Sequence, residues 1–83
     1  MRKIEEKMVQ AVNEARNFYE SNTQVVTCGN VIRVYLFGNM IFEKNGNKKT
    51  YYHCGWPTVT TASRLRALGA EIEFKRGKYI KFL

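Results

Sequence analysis

The sequence predicts a small α+β domain of order α-β-β-β-β-α-β-β, on three observations. Residues 2–20 carry apolar side chains at helical spacing, residues 23–54 alternate β-branched runs with glycine turns, and residues 58–82 read as a short helix followed by a hairpin. Eighty-three residues leave room for one hydrophobic core, so a single domain over residues 1–83 is expected.

The first helix follows from Ile4, Met8, Ala11, Val12, Ala15 and Phe18 or Tyr19, which fall on one stripe with charges elsewhere. The pattern runs from Arg2 to Glu20, about five turns, until Ser21-Asn22 breaks it.

A four-stranded antiparallel meander comes next. Gly29-Asn30 divides Val25-Val26-Thr27-Cys28 from Val31 to Phe37, and Gly38-Asn39 divides that strand from Met40 to Lys44. Glycine first in a two-residue loop suits a type II′ turn, whose first central residue needs a positive φ. Two such turns set Thr27 opposite Ile32, Val25 opposite Val34, Leu36 opposite Ile41 and Tyr35 opposite Phe42. One face then carries Val25, Ile32, Val34, Leu36 and Ile41, an aliphatic surface for a helix to cover. The other carries Val26, Cys28, Val31, Arg33, Tyr35, Phe37, Met40 and Phe42 and is richer in aromatic rings. A third turn, Asn45-Gly46-Asn47, leads into Lys48 to Cys54, with two- and three-residue loops both compatible.

The loop Cys54-Gly55-Trp56-Pro57 precedes a threonine N-cap, about two helical turns with Leu65 and Leu68 inward, and Gly69 as C-cap. The last hairpin pairs Ala70 to Lys75 with Lys78 to Phe82 around Arg76-Gly77. Whether it joins the meander in one sheet is left open by the pattern.

Charge divides the chain in two. Residues 1–43 hold five basic and five acidic side chains, whereas residues 44–83 hold nine basic against Glu71 and Glu73, so the net charge of +7 resides in the second half. Such asymmetry creates a field that attracts polyanions. The charged start, Met1 to Glu6, lacks the apolar run of a signal peptide, and no stretch approaches the roughly 20 apolar residues that cross a bilayer. A cytoplasmic location without membrane contact is expected.

Enzymatic chemistry is not expected. Cys28, His53 and Cys54 are the soft ligands, short of the four a structural zinc site takes, and no third group orients a Cys-His pair. The carboxylates form no paired set, and neither a phosphate loop nor a nucleophile elbow occurs. No cofactor is called for, and the two thiols read as small buried hydrophobes rather than a disulfide.

Two binding candidates follow. At the start of the second helix, Thr58, Thr60, Thr61 and Ser63 offer hydroxyls beside free backbone N–H groups, with Arg64 and Arg66 near, a set that suits a phosphate; threonine capping alone is the competing reading. In the last hairpin, Lys75, Arg76, Lys78 and Lys81 crowd around Tyr79, which is placed to stack on a base, while edge protection is the competing reading. Lys48 and Lys49 enlarge that set. Trp56 reads either as a stacking platform or as a lid on the core.

Gly38-Asn39-Met40-Ile41, the segment Gly55-Trp56-Pro57-Thr58-Val59-Thr60-Thr61-Ala62-Ser63-Arg64-Leu65, and the basic aromatic run Phe74-Lys75-Arg76-Gly77-Lys78-Tyr79 together resemble a family of small proteins encoded by tailed bacteriophages. The resemblance spans roughly residues 31–82. It implies action inside a bacterial host, where small early phage proteins bind nucleic acid or disable a host component.

The resulting expectation is a basic binding protein in which Lys48, Lys49, Arg64, Arg66, Lys75, Arg76, Lys78 and Lys81 neutralise nucleic-acid phosphates, with Arg64 or Arg66 reaching base edges. The alternative is an inhibitor that holds a host protein against the aromatic sheet face of Tyr35, Phe37, Met40 and Phe42, a face that also suits a homodimer.

Overall fold

In a computed structural model of the chain, residues 2–53, 58–76 and 78–82 are described, with backbone alone at 74 and 79–82. The elements are α1 (Lys3–Asn13), β1 (Phe18–Glu20), β2 (Thr23–Cys28), β3 (Val31–Leu36), β4 (Asn39–Asn45), β5 (Lys48–Tyr51), α2 (Val59–Ala67), β6 (Ile72–Lys75) and β7 (Lys78–Phe82). The chain is α+β as expected, with a five-stranded antiparallel sheet in order β1-β2-β3-β4-β5 and a separate β6–β7 pair.

Helix α1 ends well before Glu20. Ala15 adopts φ 52°, Arg16 N–H donates to Ala11 O at 2.9 Å and Ala15 N–H to Val12 O at 3.2 Å, the bonding of a Schellman stop. Such stops favour glycine, and here alanine takes the left-handed position. The freed segment turns back as the additional strand β1, pairing Phe18 with Val25 and Glu20 with Thr23. Phe18 packs against the core while Tyr19 faces out, 73% exposed.

The β2–β3 register is the expected one, with Thr27 opposite Ile32 and Val25 opposite Val34. The next hairpin differs. Its turn is Phe37-Gly38, with φ 51° and 80°, the double positive φ of a type I′ turn, so Leu36 meets Asn39 rather than Ile41. Tyr35 then pairs with Met40 and Val34 with Phe42, leaving Ile41 as the extra residue of a bulge. Ile41 and Phe42 are therefore both buried, 2% and 1% exposed, and Phe42 belongs to the core face rather than the outer one. The third loop is the two-residue form, Gly46-Asn47, between Asn45 and Lys48.

Met8, Ala11 and Val12 of α1 and Leu65 and Leu68 at α2 share one core with Val25, Ile32, Val34, Leu36, Ile41 and Phe42. Burying one such leucine stabilises by about 2 kcal/mol. Exposed pairs such as Lys7–Glu20 each add well under about 1 kcal/mol, so the core rather than the surface ion pairs holds the fold. Both helices thus lie on one side of the sheet. The Thr58 hydroxyl accepts from Thr61 N–H at 3.1 Å to start α2, and Gly69, φ 104°, ends it in a second Schellman stop. Strand β6 packs on α2, and Tyr51 of β5 donates its hydroxyl to Leu68 O at 3.2 Å. Cys28, expected to be buried, is exposed at the end of β2 and forms no disulfide.

Candidate nucleic-acid interface

Four ion pairs are formed among the described residues: Lys7–Glu20 at 3.0 Å, Arg16–Glu14 at 3.0 Å, Arg33–Glu43 at 2.9 Å and Arg64–Glu5 at 2.6 Å. Three of them join partners that both lie in the neutral first half. The fourth changes the reading of the second helix.

Arg64 does not reach solvent. It is 3% exposed, with Nη1 on Glu5 and Nε donating to Thr23 Oγ1 at 3.1 Å. The helical spacing that turns Leu65 and Leu68 toward the core turns Arg64 toward α1, where Glu5 neutralises it. Glu5 also accepts from the Ser63 hydroxyl at 2.5 Å and from Arg2 N–H at 3.3 Å. Burial alone pushes the Glu5 carboxyl up, but the hydrogen bonds from Ser63, Arg64 and Arg2, with the Arg64 charge, outweigh it and hold the group below its ordinary value. Thr58 and Thr61 bond to each other through their hydroxyls at 2.8 Å. The hydroxyls of Thr61 and Ser63 and the guanidinium of Arg64 are thereby directed into the fold, which removes them from the expected phosphate cradle. Thr60 is half-buried beside them.

The other cations stand outward. Lys48, Lys49, Arg66, Lys75, Arg76 and Lys78 are exposed. Among the described residues none of these six forms an ion pair. Arg66 Nε contacts Ile72 O at 3.4 Å, tying the end of α2 to β6. Strand pairing sets Lys75 directly opposite Lys78 and Lys44 directly opposite Lys49. Like charges in facing positions destabilise a sheet, so both pairs concentrate positive potential at a cost to the fold. Tyr51 of β5 and Arg66 of α2 link β5, α2 and the last hairpin around residues 66–72, while Lys48 and Lys49, at the other end of β5, alternate between the two sides of the sheet. Trp56 and the side chains of Tyr79 and Lys81 lie outside the described residues; the backbone of Lys81 pairs with Glu73.

A second feature was anticipated in part, as the aromatic sheet face of Tyr35, Phe37 and Met40. On the sheet face away from the helices, Tyr19, Gln24, Tyr35 and Met40 form one cross-strand row. Beside it a depression of about 440 Å³ is lined by Tyr19, Ser21, Asn22, Gln24, Tyr35, Phe37 and Gly38. Phe37 is 57% exposed at its rim. The sequence placed Tyr35 and Phe37 on this face but assigned Tyr19 to a helix, and only recognition of the alanine stop would have recovered it. Among the described residues no group of three or more metal-ligating side chains is gathered, and no helix is long and apolar enough to cross a membrane.

No curated protein and no solved structure matches the chain. The Kyanoviridae Gp96 protein family matches it over residues 1–81, nearly its whole length, in keeping with the phage resemblance of the sequence. The chain belongs to the Kyanoviridae Gp96 protein family, a family of phage proteins.

Proposed function

We propose that the protein is a non-enzymatic nucleic-acid-binding protein of the infected cytoplasm, gripping phosphates with Lys48, Lys49, Arg66, Lys75, Arg76 and Lys78, and with Lys81 as a further contact. The observation that supports this reading is the pair of like-charged cross-strand positions, Lys75 opposite Lys78 and Lys44 opposite Lys49. Edge protection accounts for single lysines but not for facing ones, whose repulsion a polyanion relieves. The net charge of +7 acts in the same direction.

The test is an anisotropy titration of labelled DNA and RNA at several salt concentrations. About six phosphate contacts give a slope of log affinity against log salt near −5 on duplex DNA. Absence of binding at low salt, or binding indifferent to salt, rejects the proposal.

A further inference from the structure

We infer that the outer face of the five-stranded sheet binds the bases of single-stranded nucleic acid, with Tyr19, Tyr35 and Phe37 as stacking surfaces. This deepens the phosphate-binding reading and rests on it.

The geometry begins with Phe37. A bulky residue at φ 51° occupies a backbone region that glycine or asparagine takes at lower energy, and the chain offers Gly38-Asn39 one position later. The bulge at Ile41 moves the turn back onto Phe37-Gly38 instead, which sets the phenyl ring, 57% exposed, at the rim of the depression. Tyr19 stands across the sheet from it, 73% exposed. A second depression of about 350 Å³ adjoins the first and shares Tyr19 and Gln24 with it. Tyr19 is thus flanked by two hollows, an arrangement that accommodates successive bases against one ring.

Polar chemistry in the hollow fits the same occupant. Gln24 lines it with an amide that suits the donor and acceptor edges of unstacked bases, while the Asn22 side-chain oxygen is already held by Thr23 at 2.9 Å, so Asn22 adds only its amide N–H donors. Arg33 lies two residues from Tyr35 on the same strand face; its Nε is held by Glu43, but its side chain is 46% exposed and the terminal guanidinium nitrogens remain donors for a phosphate beside a stacked base. Glu43, the one carboxylate among the described outer-face positions of the sheet, is held by Arg33 at 2.9 Å, so no free negative charge opposes a phosphate chain there. A second copy of the chain is the competing occupant, and the oligomeric state of the wild type and of Phe37→Asn separates the two.

The experiment compares labelled oligothymidylate, an abasic phosphodiester chain of equal length and a matching duplex. It uses the full chain and its Phe37→Asn and Tyr19→Thr variants. Asparagine suits the turn and threonine suits an edge strand, so both variants keep wild-type unfolding midpoints or exceed them. The expected result is oligothymidylate binding at least about tenfold tighter than the abasic chain, with each variant losing about tenfold on oligothymidylate alone. The salt slope stays unchanged. Equal affinity for base-bearing and abasic chains, with silent variants, overturns the stacking site and leaves the phosphate reading standing. No binding of any chain at low salt overturns both. A wild-type dimer that Phe37→Asn converts to monomer assigns the face to a second copy and overturns the inference.

Discussion

The guanidinium of Arg64 lies 2.6 Å from the carboxylate of Glu5, joining α2 to the first turn of α1 across 59 positions of sequence. Both groups are nearly inaccessible, at 4% and 2% side-chain exposure. Thr23 at the start of β2 completes the cluster by accepting from Arg64 Nε. Two helices and the sheet are therefore locked by one ion pair whose halves depend on each other.

Removing one half alone strands a buried charge. Arg64→Met is expected to destabilise by about 3 kcal/mol or more, whereas the double change Glu5→Leu with Arg64→Met costs distinctly less than the sum of the single changes. Urea unfolding followed by circular dichroism measures the coupling. Additive costs would show that the pair is no more than two independent side chains.

Acid should act through the same carboxylate. The folded pKa of Glu5 lies below 4.5, so its contribution is present above the unfolded value and is lost as pH falls through the lower folded one. Stability is expected to be flat near neutrality and to decline below about pH 4.5. The decline should be shallower in Glu5→Gln. Glu14 is lowered as well, by hydrogen bonds from Gln10 and then Arg16, but it is fully exposed and water screens it. An unchanged acid limb in Glu5→Gln would assign the transition to other groups.

Ala15 offers a stabilising change. Its φ of 52° costs an L-residue roughly 1 kcal/mol that glycine does not incur, so Ala15→Gly should raise the unfolding midpoint. The gain is expected at about 0.5–1 kcal/mol, reduced by the greater freedom of glycine in the unfolded chain. A lower midpoint would mean that α1 does not end in a left-handed stop.

Lys75 and Lys78 should show opposite signs in two assays. Lys75→Ala or Lys78→Ala relieves a like-charge facing pair and should leave stability unchanged or raise it by up to about 1 kcal/mol. Each should also lower the magnitude of the salt slope for nucleic acid by about one. A loss of affinity with an unaltered slope would place these lysines away from phosphates.

The fold was legible where signals were local and unopposed. Gly29-Asn30 specified the β2–β3 register, and Leu65, Leu68 and Gly69 specified the inward face and the end of α2. Two misreadings share one cause, a non-glycine residue in the left-handed region: Ala15 stops α1 without the usual residue, and Phe37 takes a turn position that Gly38-Asn39 seemed to claim. Arg64 was misread because a basic residue next to threonine caps looks the same whether it faces water or a carboxylate in residue 5. Only the packing of α1 on α2 distinguishes the two. The lysines of β5 and the last hairpin were legible as a group, but the facing of Lys75 with Lys78 needed the observed pairing.

The extra residue at Ile41 sets the parity of everything after it. Because a strand alternates sides at every step, taking one residue out of the ladder in a bulge transposes the inward and outward positions from Phe42 through β5 relative to an unbroken pairing. Because of that bulge Glu43 reaches Arg33, and Lys48 rather than Lys49 takes the outer side of the sheet. An unbroken ladder through the same residues would set Ile41 opposite Val34 and Phe42 opposite Arg33, exposing Phe42, separating Glu43 from Arg33 and exchanging the places of the two lysines, a larger change to the surface than any one substitution can make.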